Sequence, residues 1–225
     1  MKNLKKSLVA LIAIATFTSC KKEDTAVTVD TTNNGSFKVF TIGNITTVQN
    51  LMADTIIGFT PIGQPFGANK FTFFSIVNKA LVPSTDSATT KWDIGFKGTT
   101  IIVNNGTSGP GNGGGFTQVG LFDEVRQVSN DSTIRVDNAP NYAIAFGSNR
   151  SWYVYNAPTN LITPIPGRTL IIRTANGNFA KLEILNYYKG GTTPAATAPD
   201  AVKLKDQRYY TFRFTYQSNG SKIFP

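Results

Sequence analysis

Residues 91–115, KWDIGFKGTTIIVNNGTSGPGNGGG, decide the fold class of this chain. Trp92, Ile94 and Phe96 alternate with Asp93, Gly95 and Lys97, the period of a strand with one apolar face. Ile101-Ile102-Val103 is a β-branched run that stops at Asn104-Asn105-Gly106, residue types that tolerate the positive φ of a turn. A glycine-heavy loop almost without charge follows, so the stretch reads as strand, strand, loop. For Asn105, Gly109, Gly111 and Gly113 two readings stand side by side. Either a ligand approaches this backbone closely, or the loop is plain and mobile, and residue chemistry favours the plain loop.

The same grammar recurs along the chain. Residues 37–42, 55–60, 71–77, 92–96, 100–103 and 116–122 are predicted strands, followed by 133–136, 142–146, 151–155, 169–174, 179–187 and 209–216. Each is short, rich in β-branched or aromatic residues, and bounded by Gly, Pro, Asn or Asp. Asn176-Gly177 between two such runs predicts a two-residue type I′ hairpin turn, which needs positive φ at both positions. Tyr210, Phe212, Phe214 and Tyr216 share one face of the last strand while Thr211, Arg213 and Thr215 share the other. That alternation predicts a sheet covered on one side only. No amphipathic helix stands out, and residues 189–202 read as a loop. The expected fold is all-β, an antiparallel β-sandwich or a strongly curved two-sheet barrel with long loops.

The N-terminus carries a separate signal. Lys2, Lys5 and Lys6 make a basic region, Leu8 to Ala15 an apolar one, and Phe17-Thr18-Ser19 lead into Cys20. The apolar run is too short to span a bilayer as a helix. Cys20 is the only cysteine, which excludes an intramolecular disulfide, and its position resembles a bacterial lipobox. Residues 1–19 are thus read as a lipoprotein signal peptide, 20–36 as a lipidated Cys20 with a flexible tether, and 37–225 as a single all-β domain. Cleavage would remove three lysines and no acid, lowering the net charge from +9 to +6. The basic residues are scattered, without the clustered stripe of a nucleic-acid interface, and read as a solvated surface.

Catalysis finds little support in the inventory. The chain has no histidine, so the commonest general base is missing, and with it Ser-His-Asp and Cys-His arrangements and most zinc sites. Its 13 carboxylates are dispersed, with no acid–base pair to nominate. The glycine loop lacks the Gly-Lys-Ser/Thr ending of a phosphate-binding loop. The expectation is a binding protein, not an enzyme.

Four pieces in order carry a family resemblance: Trp92-Asp93-Ile94 with Phe96, the loop Asn105 to Gly111, the hairpin Arg173 to Leu182, and Tyr209-Tyr210-Thr211-Phe212-Arg213-Phe214. On these the chain resembles the HmuY-like family, haem-binding surface lipoproteins of the Bacteroidetes. The resemblance implies a haemophore-like lipoprotein of the outer membrane that faces the cell exterior and serves iron or haem acquisition. It would seat haem or porphyrin near residues 104–127 and 150–162 and pass it to a TonB-dependent outer-membrane transporter. Family members grip the iron from two sides with histidines, or in some relatives methionines, one after the glycine loop and one just before a Pro-Thr dipeptide. Here that second place is Tyr155-Asn156-Ala157-Pro158-Thr159, with Asn156 as the best match for the ligand itself. Asparagine is a poor ligand for haem iron, and Met52 is the only methionine beyond the signal region. Tyrosinate does hold haem iron in some proteins. Tyr153 and Tyr155, two apart on a predicted strand and so on one face, are the candidate metal ligands if haem is bound, with ordinary sheet residues as the plainer reading. The missing ligands leave open the same scaffold with a glycan, a peptide or a partner protein as its ligand.

Cys20→Ala is expected to release the protein from the membrane fraction or leave an unprocessed precursor, because acyl chains supply the anchorage. Metabolic labelling with a fatty-acid analogue checks this, and a wild-type protein that takes up no label would overturn the lipoprotein reading.

Overall fold

A computed structural model describes residues 37–63, 65–129 and 133–225. Cys20, the signal region 1–19 and the tether 20–36 lie outside the described residues. In chain order the strands are β1 (Lys38–Ile42), β2 (Ile45–Met52), β3 (Gly58–Phe59), β4 (Pro65–Phe66), β5 (Thr72–Ser75), β6 (Ala80–Val82) and β7 (Ile94–Lys97). They continue with β8 (Thr100–Val103), β9 (Gly114–Val119), β10 (Tyr153–Asn156), β11 (Leu161–Pro164), β12 (Arg168–Arg173) and β13 (Phe179–Tyr188). A short helix α1 (Asp200–Asp206) then leads into β14 (Gln207–Gln217).

A six-stranded sheet in the order β1-β2-β14-β13-β12-β9 packs on a four-stranded sheet in the order β6-β5-β7-β8, and all pairings are antiparallel. Hairpins β3-β4 and β10-β11 stand apart from both. The architecture is an all-β sandwich and not a closed barrel. Its core is the aromatic seam between the sheets. Phe74 of β5 meets Phe212 of β14 edge-on at 5.6 Å, and Phe96 of β7 stacks on Phe212 at 5.4 Å and lies 4.7 Å from the Tyr210 ring. Rings of this size in offset or edge-on contact contribute both area and geometry-specific attraction.

Several expectations change in three dimensions. β2 has no counterpart in the predicted strands, because its apolar period slips: Thr46 and Val48 are buried, then Asn50 takes a φ of 58° and Leu51, not Asn50, turns inward. The slip is a β-bulge in β2: Tyr210 pairs with Leu51 but Phe212 with Val48, so three steps of β2 face two of β14. Predicted strand 142–146 does not form, since the Ala143 N–H donates to the Asp137 carboxylate instead of to a neighbouring strand. Of 133–136 only an isolated bridge from Arg135 to Gly115 remains, and 55–60 shrinks to β3. Trp92 precedes β7, and it packs with Phe73 and Ile102 on the outer side of the small sheet, away from Ile94 and Phe96. The Asn176-Gly177 hairpin forms with a three-residue loop: Thr174 N–H donates to Asn178 O, Gly177 N–H donates to Thr174 O, and Gly177 alone takes positive φ, at 89°.

The large sheet is covered on both faces, not one. Thr211 and Thr215 are buried on its outer side. Residues 121–128 lie there, bridged to the C-terminal tail by Val128 N–H donating to Lys222 O and Phe224 N–H donating to Arg126 O. Lys181 is buried beneath them, donating to the carbonyls of Phe122 and Val125 at 2.7 and 2.9 Å with its ammonium over the Phe122 ring. Polar residues on the alternate positions of β13 and β14 thus face a second layer of protein.

Asp93 ties the two sheets together. One carboxylate oxygen accepts from the N–H groups of Ile76 at 2.7 Å and Val77 at 3.3 Å, the other from the Ala175 N–H at 2.8 Å, 82 residues away. Asp137 holds a second junction, accepting from Val103 N–H and Ala143 N–H, both at 2.8 Å. Burial holds both carboxyls above the ordinary aspartate value of 3.8, while their backbone donors oppose the rise. A group whose pKa is raised in the folded state contributes stability that is full below its unfolded value and lost as pH rises through the folded one. The unfolding free energy of the wild type minus that of Asp93→Asn should therefore fall as pH rises above 3.8. Urea titrations across pH 3.5 to 7 measure the margin, and one that grows with pH would contradict the assignment.

Candidate functional site

The glycine loop is organised by a side chain that stands just before it. Asn104, fully buried at the end of β8, donates from its amide to the carbonyls of Trp92 at 2.7 Å and Thr89 at 2.9 Å, and its side-chain oxygen accepts from Gly111 N–H at 2.9 Å. Its backbone carbonyl accepts from Gly113 N–H at 2.9 Å. A Cβ at Gly113 would stand 2.7 Å from Asn104 O, and one at Gly111 would stand 2.8 Å from that oxygen and 2.9 Å from the Ala175 Cβ. At Gly109 it would strike the Asn104 side-chain oxygen. Asn105 bonds within the loop, its amide donating to Gly113 O at 2.9 Å. The partner that packs closely on these four residues is the protein itself, so the loop is not free coil, while a cavity of about 500 Å³ lined by Gly106 to Pro110 with Ser87 and Ala88 opens on its other side.

Tyr153, Tyr155 and Asn156 sit on the β10-β11 hairpin, which leaves the core as it runs outward. Tyr153 is buried, its ring 4.7 Å from Trp152 and its hydroxyl accepting from the Thr99 hydroxyl at 3.2 Å. Tyr155 is 45% exposed and its hydroxyl donates to the Asn160 side-chain oxygen at 2.7 Å. Asn156, at the tip, accepts from Thr159 N–H through its own side-chain oxygen. The hairpin and the glycine loop are not brought together. Thr99 precedes β8 and Asn104 follows it, so roughly 13 Å of strand lies between them. Haem iron finds no fitting pair of ligands here: Tyr153 is packed in the core, Tyr155 and Asn156 are engaged by their own hairpin, and Met52 lies on β2.

A different place carries the features of a binding site. Three cavities adjoin along the segment from Thr133 to Arg150. The first, about 440 Å³, is lined by Arg135, Arg150 and Arg168 with Phe116, Thr117 and Thr133. The second, about 180 Å³, shares Arg135, Ala145 and Arg150 with it and adds Tyr142 and Phe146. The third, about 380 Å³, shares Phe146 and is lined also by Lys97, Arg208, Asp54, Asn69 and Tyr187. Phe146 stands between the second and the third, 55% exposed. Volumes of a few hundred Å³ are those of small-ligand sites.

The third cavity is framed by residues in unusual backbone conformations. Asp54, Asn69 and Arg208 all take positive φ, 57°, 58° and 69°, conformations rare for residues with a Cβ. Arg208 donates to Asp54 O at 2.7 Å and lies 3.7 Å from its carboxylate. Burial raises the Tyr187 hydroxyl far above its ordinary range, so it stays protonated and can donate.

The expected cleft near residues 104–127 and 150–162 overlaps this groove at Phe116, Thr117 and Arg150, while Arg135, Arg168 and Phe146 lie outside it. Arg135, Arg150 and Arg168 belong to separate segments, so no local motif marks them. Phe146 falls within the predicted strand 142–146, whose alternation concealed a loop.

The structure resembles HmuY-like solved structures. A protein described as a lipoprotein from Bacteroides fragilis is 11% identical, over 85% of this chain and 95% of that one, with a TM-score of 0.47. A protein described as an HmuY-like haem-binding protein from Bacteroides vulgatus is 10% identical over 85% and 98%, with a TM-score of 0.48. The apo HmuY analogue of Tannerella forsythia is 13% identical over 77% and 97%, at 0.41. No family model matches the sequence, and no curated protein does. At these identities the likeness carries no ligand from those proteins to this one.

Asn104→Ala is expected to destabilise the protein by about 2–4 kcal/mol, since it strands buried partners of the amide at once. Urea unfolding measures this, and a loss below about 0.5 kcal/mol would show that the loop does not depend on that side chain.

Proposed function

We propose that the protein is a non-catalytic, outward-facing lipoprotein of the outer membrane that captures a flat ligand such as a porphyrin in the groove beside Phe146, without axial side-chain ligands to iron. The observation that carries this reading is Phe146 itself, a large apolar ring left 55% exposed where two of the adjoining cavities meet. An aromatic surface in that position suits stacking against a planar ligand. The sequence resemblance to haem-binding lipoproteins supports the ligand class, and the engaged hydroxyls of Tyr153 and Tyr155 argue against iron ligation. Transfer to a TonB-dependent outer-membrane transporter, and with it a part in iron or haem acquisition, belongs to the same proposal. A glycan, a peptide or a partner protein held by the groove is the alternative that remains if porphyrins do not bind.

Titration of the full-length protein in non-ionic detergent with haemin and with metal-free protoporphyrin tests the reading. The two are expected to bind within a few-fold of each other, and Phe146→Ala should weaken both about tenfold, equivalent to about 1.4 kcal/mol. A low-spin spectrum of two strong axial ligands, or binding of haemin alone, would falsify it.

A further inference from the structure

We infer that Arg135, Arg150 and Arg168 form a polyanion-binding site, which recognises a ligand with at least two carboxylate or phosphate groups. This rests on the groove proposed above and names the chemistry of its ligand. The three arginines come from different parts of the fold. Arg135 is placed by its bridge to Gly115 of β9, Arg168 opens β12, and Arg150 follows the turn closed by its own N–H donating to Gly147 O. All three line one cavity of about 440 Å³, and no acidic residue is among its lining residues within the described part of the chain.

Their guanidinium groups have no hydrogen bond or ion pair to any described residue. The contrast with Arg208, Arg213 and Arg173 is direct. Arg208 lies against Asp54, Arg213 is paired with Glu183 at 2.7 Å and Asp123 at 3.2 Å, and Arg173 donates to Gly113 O. Like charges gathered around one cavity repel, and the repulsion is relieved when an anion enters between them. A guanidinium presents a planar fork of donors that matches carboxylate and phosphate oxygens two at a time. The hydroxyls of Thr117 and Thr133, also in the lining, supply donors that distinguish an oxyanion from a halide. Arg135 and Arg150 line the adjoining cavity as well, so an acidic group bound here lies beside Phe146.

Calorimetric titration of the full-length protein in detergent with pyrophosphate and with metal-free coproporphyrin, a ring with four carboxylates, tests the site. Pyrophosphate is expected to bind and to weaken steeply with salt. Arg135→Gln, Arg150→Gln and Arg168→Gln should each weaken it about tenfold, while Lys38→Gln on the edge strand β1 should not. Unchanged thermal melts of the glutamine variants exclude misfolding as the cause, and a variant that melts early is replaced by its lysine counterpart, which retains charge without the fork. Coproporphyrin binding tighter than protoporphyrin identifies ring carboxylates as the source, whereas tighter binding of pyrophosphate identifies free phosphate. Phe146→Ala should spare pyrophosphate and weaken the porphyrin. Porphyrins that fail to bind while pyrophosphate binds through the three arginines would remove the flat-ligand reading and keep this one. No pyrophosphate binding, or equal loss in Lys38→Gln, would overturn the site.

Discussion

The carboxylate of Asp93 is the junction on which the sandwich and its loops depend. It sits at the start of the small sheet and accepts from Ile76, Val77 and, across the core, Ala175 of the β12-β13 hairpin. Its backbone carbonyl accepts from Asn104 N–H, and Asn104 in turn arranges the glycine loop. Ala175 O accepts from Asn112 N–H, closing the circuit. A buried carboxylate without a cationic partner is costly unless several donors surround it, and here every donor belongs to a segment whose position matters. The glycine loop ends where β9 begins, Gly115 of β9 bridges Arg135, and Arg135 opens the groove. One buried acid thus sets the position of a cationic cavity at the far end of that chain of contacts.

This arrangement separates the residues spent on the fold from those of the proposed groove. Glycines with tight backbone contacts suggest a bound ligand until the identity of the contacting atoms is known; around Gly109, Gly111 and Gly113 those atoms are Asn104, Trp92 and Ala175. The tyrosines of β10 are likewise committed to the fold. What is uncommitted lies along Thr133 to Arg150, a stretch whose backbone is held by side chains and turns and not by a sheet. Loops fixed in this way on a rigid scaffold are where binding residues collect.

The all-β class and most strand positions were legible because alternation and turn residues are local signals. β8 falls on its predicted range, and β12, β13 and β14 differ from theirs by one or two residues at the ends. β2 was hidden because Thr46, Thr47, Gln49 and Asn50 make up half of it and a bulge at Asn50 breaks its period. The second layer over the large sheet was hidden because Thr211, Arg213 and Thr215 look like solvent-facing residues, and only the return of residues 121–128 and of the C-terminal tail covers them.

By itself the sequence determined that the chain is built of short antiparallel strands, that it offers no histidine for catalysis or for iron, and that its family resemblance lacks the usual axial ligands. Each of these is a statement about residue types and spacing along the chain. The tertiary structure alone decided which polar groups are spent on the fold and which are left over. Charge scattered through a sequence carries no information about convergence, because residues 135, 150 and 168 become neighbours only when β9, β12 and the loop between them are docked. Burial and hydrogen-bond partnership are properties of that docking. They turned the glycine loop into core and left three arginines around a cavity without a counter-charge among the described residues.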